Sequence, residues 1–149
     1  VKGLIQRVGH ACVKVDDEVT GAIDGGILLL LGVEQGDSET TADKLLQKVL
    51  NYRIFPDVDG RMNRSLTDIG GGLLVVSQFT LVADTRKGLR PGFSRGATPA
   101  EGERLYDLFV QRARATHGSV ETGRFGADMK VELLNDGPVT FLLEVPPVD

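Results

Sequence analysis

From Ile27 to Val33 no side chain is polar. A strand that rests one face on a core alternates apolar and polar residues, so a run that is apolar throughout must be covered on both faces. The run therefore predicts a central strand in a layered protein, entered through Gly25-Gly26. Leu73, Leu74, Val75 and Val76 repeat the pattern after the Gly70-Gly71-Gly72 turn, and the strand expected over Leu73 to Leu81 closes on Ser77, Gln78, Phe79, Thr80 and Leu81. A buried strand that ends in polar residues presents hydroxyls and free backbone N–H groups at its mouth, where a substrate could meet them.

Other segments supply the layers. Leu4 to Val8 and Ala11 to Val15 alternate as two opening strands with His10 between them, and Asp16-Asp17 turns the chain into Glu18 to Ile23. Asp37 or Ser38 can cap a helix whose residues Ala42, Leu45, Leu46, Val49 and Leu50 form one apolar stripe. Thr98-Pro99-Ala100-Glu101 reads as a capping box with Pro at the first helical position. Leu105, Leu108 and Phe109 are the buried face of this second helix, His117 its exposed end and Gly118 its stop. Met129 to Leu134 and Val139 to Val145 are expected to pair as a closing hairpin around an Asn135 to Pro138 turn, with Val139, Phe141, Leu143 and Val145 facing inward. With no repeat, linker or low-complexity tract, the chain reads as one α/β domain over residues 1–149 with mixed sheets and two main helices.

Composition narrows the function. At 41% hydrophobic and 26% charged residues, the chain has the balance of a soluble folded protein. Its longest apolar run, Ile27 to Leu31, is far short of the roughly 20 residues that span a bilayer, and no basic-then-apolar leader appears, so the expected location is cytoplasmic. Cys12 is the only cysteine, which excludes an intrachain disulfide and a thiolate metal cluster and suggests a small core residue. A net charge of −4 opposes general nucleic-acid binding, which depends on Lys and Arg displacing phosphate counterions. Positive charge is instead concentrated at Arg86, Lys87, Arg90 and Arg95, in the long loop from Val82 to Gly96 that follows the polar strand end. That loop is either a phosphate contact or a solvated basic surface.

Ser77 and Thr80 invite a hydrolase reading, yet a nucleophilic hydroxyl needs an adjacent base, and Ser77 is not in a Gly-x-Ser-x-Gly elbow. From the residues alone they are strand-end hydrogen bonders. Asp57, Asp59 and Gly60 begin like a calcium loop but have no closing Glu, so they read as a turn. Gly70-Gly71-Gly72 lacks the Lys-Ser/Thr of a phosphate loop. No metal and no cofactor are expected. Gly137-Pro138 is a common turn piece, and sequence gives no licence to assign its peptide isomer.

Three segments together carry a more specific message: Val75-Val76-Ser77-Gln78-Phe79-Thr80-Leu81 with Ala83-Asp84, Thr122-Gly123-Arg124-Phe125-Gly126-Ala127-Asp128-Met129, and Asn135-Asp136-Gly137-Pro138-Val139-Thr140-Phe141. With Leu4-Ile5-Gln6-Arg7-Val8 and Tyr52-Arg53-Ile54-Phe55, the chain resembles the D-aminoacyl-tRNA deacylases along essentially its whole length. Val1 in place of an initiator Met is the one departure, and it touches none of these segments. The resemblance implies a layered α/β/β homodimer with its active sites at the subunit interface. Ser77, Gln78, Phe79 and Thr80 would form one wall, and Gly137 and Pro138 of the partner subunit, joined by a cis bond, the other. In the family these backbone carbonyls hold the substrate's α-amino group, and Arg7 helps to fix them. Backbone N–H groups near Phe79 and Thr80 would receive the oxyanion, and the 2′-hydroxyl of the terminal adenosine would act as base. Arg86, Lys87 and Arg90 would meet tRNA phosphates, with neither DNA nor membrane as partner. The expected reaction is hydrolysis of D-aminoacyl-tRNA and of glycyl-tRNA with exclusion of L-amino acids. A sister deacylase acting on L-mischarged tRNA and a non-catalytic RNA-binding homodimer are the alternatives.

Overall fold

The apolar runs lie side by side. In the computed structural model, which describes residues 1–147, β3 (Gly26–Gly32) and β6 (Gly72–Ser77) run parallel, in register from Gly26↔Gly72 to Leu31↔Ser77. Ile27, Leu28, Leu29, Leu73, Leu74, Val75 and Val76 are all buried, as a strand covered on both faces requires. A parallel pair needs a crossover. That between β3 and β6 carries α1 (Glu39–Asn51), the small hairpin β4–β5 (Phe55–Pro56 and Met62–Arg64) and α2 (Leu66–Ile69). A second crossover, through the 3₁₀ turn Phe79–Val82 and α3 (Pro99–Thr116), leads to β7 (Val120–Thr122), parallel to β6.

Two long strands wrap this centre. β1 (Lys2–Val15) pairs antiparallel with β3 through residues 2–8 and with β2 (Glu18–Ile23) through residues 11–15. β8 (Lys130–Glu144) follows β1 along nearly its full length. The order β2-β1-β3-β6-β7 curls until its ends almost meet, with Thr20 Oγ1 3.4 Å from the Thr122 carbonyl oxygen. Only glycine fits at the seam, because a Cβ on Gly21 would stand 2.3 Å from that oxygen. The two faces of β3 and β6 feed separate cores. Ile27, Leu29, Leu73 and Val75 meet Leu45 and Val49 of α1 and Phe109 and Ala113 of α3. Leu28, Leu74 and Val76 meet Val8, Ala11 and Val13 of β1, with Val131 and Leu133 of β8 packed alongside. Helices, central strands and the outer halves of β1, β2 and β8 thus form the expected α/β/β layers, and truncating a buried leucine in either core should cost about 2–5 kcal/mol.

The helix starts follow the sequence. Ser38 caps α1, with its hydroxyl accepting from the Thr41 N–H and the Thr41 hydroxyl accepting from the Ser38 N–H. Thr98 caps α3 ahead of Pro99, but the capping box is half made, since the Glu101 carboxylate turns to Arg104 at 2.5 Å. Asp57 holds its turn by accepting from the Asp59 and Arg61 N–H groups.

Five expectations need correction. The two opening strands are one, and the gap in alternation at Gly9 and His10 is a bulge where the register against β8 shifts. The closing hairpin is likewise one strand, whose halves pair with β1 and not with each other, so residues 135–138 are a bulge in β8 and not a turn. Phe141 remains 36% exposed because it packs on the half-buried Tyr52 ring, with centroids 5.6 Å apart, whereas Leu143 reaches the helix-side core and is buried. His117 is buried against the Gly71 carbonyl, and Cys12 is half-buried beside Glu132 rather than in a core. Among the described residues no helix is long and apolar enough to cross a membrane.

Candidate active site

β6 stops at Ser77, three residues before Thr80, and not at Leu81 as the sequence suggested. The Gln78 N–H makes the last bond to β3, donating to the Leu31 carbonyl at 2.8 Å, and the chain then tightens into the 3₁₀ turn. Leu81 and Ala83 donate back to the Gln78 and Thr80 carbonyls at 3.2 Å each. The first N–H groups of any helical turn have no partner inside it. Here those of Phe79 and Thr80 have no acceptor among the described residues, and both residues are exposed. The Gln78 side-chain amide donates to the Thr80 hydroxyl, so that hydroxyl is oriented by an amide and not by a base.

A cleft of about 510 Å³ opens in front of this turn. Ser77, Gln78 and Phe79 form one side, and Tyr106, Phe125 and Met129 lie among the lining of the rest. Tyr106 fixes the frame: its hydroxyl donates at 3.1 Å to the Val75 carbonyl, which also accepts the Gly123 N–H at 3.1 Å. Burial pushes that hydroxyl up to about 12, so it stays a protonated donor. Neither histidine lines the cleft. His117 Nε2 sits 2.6 Å from the Gly71 carbonyl oxygen at the opposite end of β6, roughly 20 Å away by strand rise, and His10 is exposed on β1.

Gly137 and Pro138 stand elsewhere in the chain. They are exposed on the β8 bulge and do not line the cleft. Their peptide bond is cis, and Gly137 has φ +136°, a conformation a side chain would strain. Arg7 Nε donates to the Asp136 carbonyl at 3.0 Å and its Nη1 to the Ile54 carbonyl at 2.7 Å. From the other side the Asn135 carboxamide spans the bulge, accepting the Val139 N–H at 3.0 Å and donating to the Thr140 hydroxyl at 2.9 Å.

The basic loop is tied at its base, where Asp84 and Gly92 exchange backbone hydrogen bonds of 2.7 and 2.9 Å. Arg86 grips the Asp84 carboxylate through Nε and Nη2 at 2.9 and 2.8 Å, which holds that carboxyl well below the usual range. Lys87 and Arg90 are exposed and have no carboxylate partner among the described residues.

The model of the family described as D-Tyr-tRNA(Tyr) deacylase matches residues 4–144. The chain belongs to that family. A D-aminoacyl-tRNA deacylase of Stutzerimonas stutzeri is 66% identical over 97% of this chain and 99% of its own length. One of Aeromonas hydrophila is 65% identical over 95% of this chain and 98% of its own. Among solved structures, that of a c-Myc DNA Unwinding Element Binding Protein superposes with a TM-score of 0.94 at 38% identity, covering 98% of this chain and 99% of that one. A probable eukaryotic D-amino acid tRNA deacylase shares the fold at a TM-score of 0.82 and 16% identity, covering 97% and 98%. Within this member of the D-Tyr-tRNA(Tyr) deacylase family, one chain brings Ser77, Gln78 and Phe79 together at the cleft, with Thr80 beside them, and Arg7 to Gly137. It does not bring the two groups to each other. Sequence reasoning missed Tyr106, which it did not single out, and Asn135, read as a turn residue; no local pattern marks the bond each makes.

Proposed function

We propose that this chain hydrolyses the ester of D-aminoacyl-tRNA, releasing a free D-amino acid and tRNA. The observation that carries the reading, beside family membership, is the pair of free N–H groups on Phe79 and Thr80 at the lip of the cleft. Water attacks the ester carbonyl carbon, and the negative charge that develops on its oxygen is met by these amides, a contribution of roughly 10²–10³ in rate per donor. The 2′-hydroxyl beside the ester serves as base for the attacking water, and the 3′-oxygen leaves with a proton. Ser77 and Thr80 shape the turn and take no acyl group.

The second wall comes from a second copy. β8 is long, has a free edge among the described residues, and carries Leu134 and Leu142 at 55% and 48% exposure beside Phe141. Such an edge is a pairing hazard unless covered. A homodimer covers it and brings Gly137 and Pro138 of the partner subunit to the cleft, where rigid carbonyls hold the α-amino group and leave no room for an L side chain. Glycyl esters, with no side chain, are then also substrates.

DNA binding, which the name of the 38% identical protein carries, is a poorer reading here because the net charge is −4, against the counterion release that general phosphate binding needs. The testing experiment is release of D-tyrosine from D-tyrosyl-tRNA by the purified chain. Turnover at catalytic enzyme concentration is expected, and its absence, with RNA binding retained, would leave a binding protein in its place.

A further inference from the structure

We propose that Phe79 and Phe93 form a stacking platform for a base of the single-stranded 3′ end of tRNA, one nucleotide or more upstream of the esterified adenosine. The inference rests on the proposed deacylase activity and names how the substrate is held at the mouth of the cleft, which both rings line. Phe79 and Phe93 are 69% and 47% exposed, with ring centroids 5.4 Å apart at 49°. Neither ring belongs to either core. Phe93 is nonetheless rigidly mounted: the preceding Gly92 is paired with Asp84, and the Phe93 carbonyl accepts the Gly96 N–H at 3.2 Å. Beyond it, the Arg95 carbonyl accepts from Gln35 at 2.9 Å and Ala97 donates to Val33 at 3.1 Å. The return limb of the loop is thereby pinned to the end of β3.

Exposed aromatic faces on a fixed backbone, with Lys87 and Arg90 in the same loop as Phe93 and without carboxylate partners among the described residues, combine the two elements that bind single strands: flat surfaces for bases and cations for phosphates. With the ester at the Phe79 and Thr80 amides, the strand leaves the cleft past these rings. The charge pattern favours this occupant over a second copy of the chain, whose net charge is also −4.

The chain contains no Trp, so Phe93→Trp gives a single reporter. Deacylation of D-tyrosyl-tRNA is compared with that of D-tyrosyl-adenosine, which lacks every upstream nucleotide. Phe93→Ala should raise KM for the tRNA ester by roughly 5- to 150-fold, the range of one lost base stack, with kcat little altered and a far smaller effect on the nucleoside ester. Phe93→Trp should restore KM and be quenched by a short RNA ending in CCA, but not by the same RNA with abasic sites upstream of the terminal adenosine. Equal loss on both esters, quenching by the abasic RNA, or a signal that follows protein concentration alone would overturn the platform. If the parent protein hydrolyses neither ester, the proposed activity fails, and the quenching comparison still decides the platform.

Discussion

The Arg7 side chain donates at 3.0 Å to the carbonyl of Asp136, the residue before Gly137, while its other arm reaches Ile54. A planar guanidinium sends donors from two nitrogens in fixed directions, one to each carbonyl, whereas a lysine must send all its donors from a single nitrogen. Arg7→Lys should therefore lower kcat/KM for D-tyrosyl-tRNA at least about tenfold, the equivalent of one hydrogen bond from a charged group. Normal kinetics in a folded Arg7→Lys protein would show that the bulge holds itself.

Because the proposed oxyanion donors are main-chain amides, Ser77→Ala and Thr80→Ala should retain measurable turnover. Substrate ending in 2′-deoxyadenosine should lose far more. A trapped aminoacyl ester on Ser77 or Thr80, read by mass spectrometry, would restore a nucleophilic mechanism.

Neutralising Arg86, Lys87 and Arg90 together should raise KM for charged tRNA and flatten its salt dependence, since each phosphate contact contributes about 0.7–0.9 to the log–log slope. Arg86 is already bound to Asp84, so Lys87 and Arg90 should account for most of the change. A slope unchanged in the triple variant marks the loop as a solvated surface.

Covering of β8 predicts a dimer at assay concentration by light scattering. Leu142→Arg, placed on the exposed apolar face of β8, should give monomers that lose deacylation. A monomer at full rate would contradict a site completed by a second chain.

The layers were legible because Ile27 to Val33 and Leu73 to Val76 can be buried only one way, and Ser38 and Thr98 cap where their spacing places them. β1 and β8 were misdivided for a physical reason. A bulge interrupts the two-residue alternation as a turn does, and Asn135 to Pro138 has turn chemistry while its neighbours pair with β1. Ser77 to Thr80 was legible as a cluster, but the free N–H groups depend on where the ladder ends, a tertiary property set by Leu31. Tyr106 and Phe93 lie far in sequence from the residues they touch, and no local pattern could pair them.

The central claim is exclusion at the α-carbon by main-chain atoms. It is tested most directly by deacylating D-tyrosyl-, L-tyrosyl- and glycyl-tRNA side by side under single-turnover conditions. The account predicts rapid loss of the D ester, detectable loss of the glycyl ester and an L ester no less stable than without enzyme. Efficient hydrolysis of L-tyrosyl-tRNA, as in a sister deacylase for L-mischarged tRNA, or complete protection of glycyl-tRNA, would contradict it.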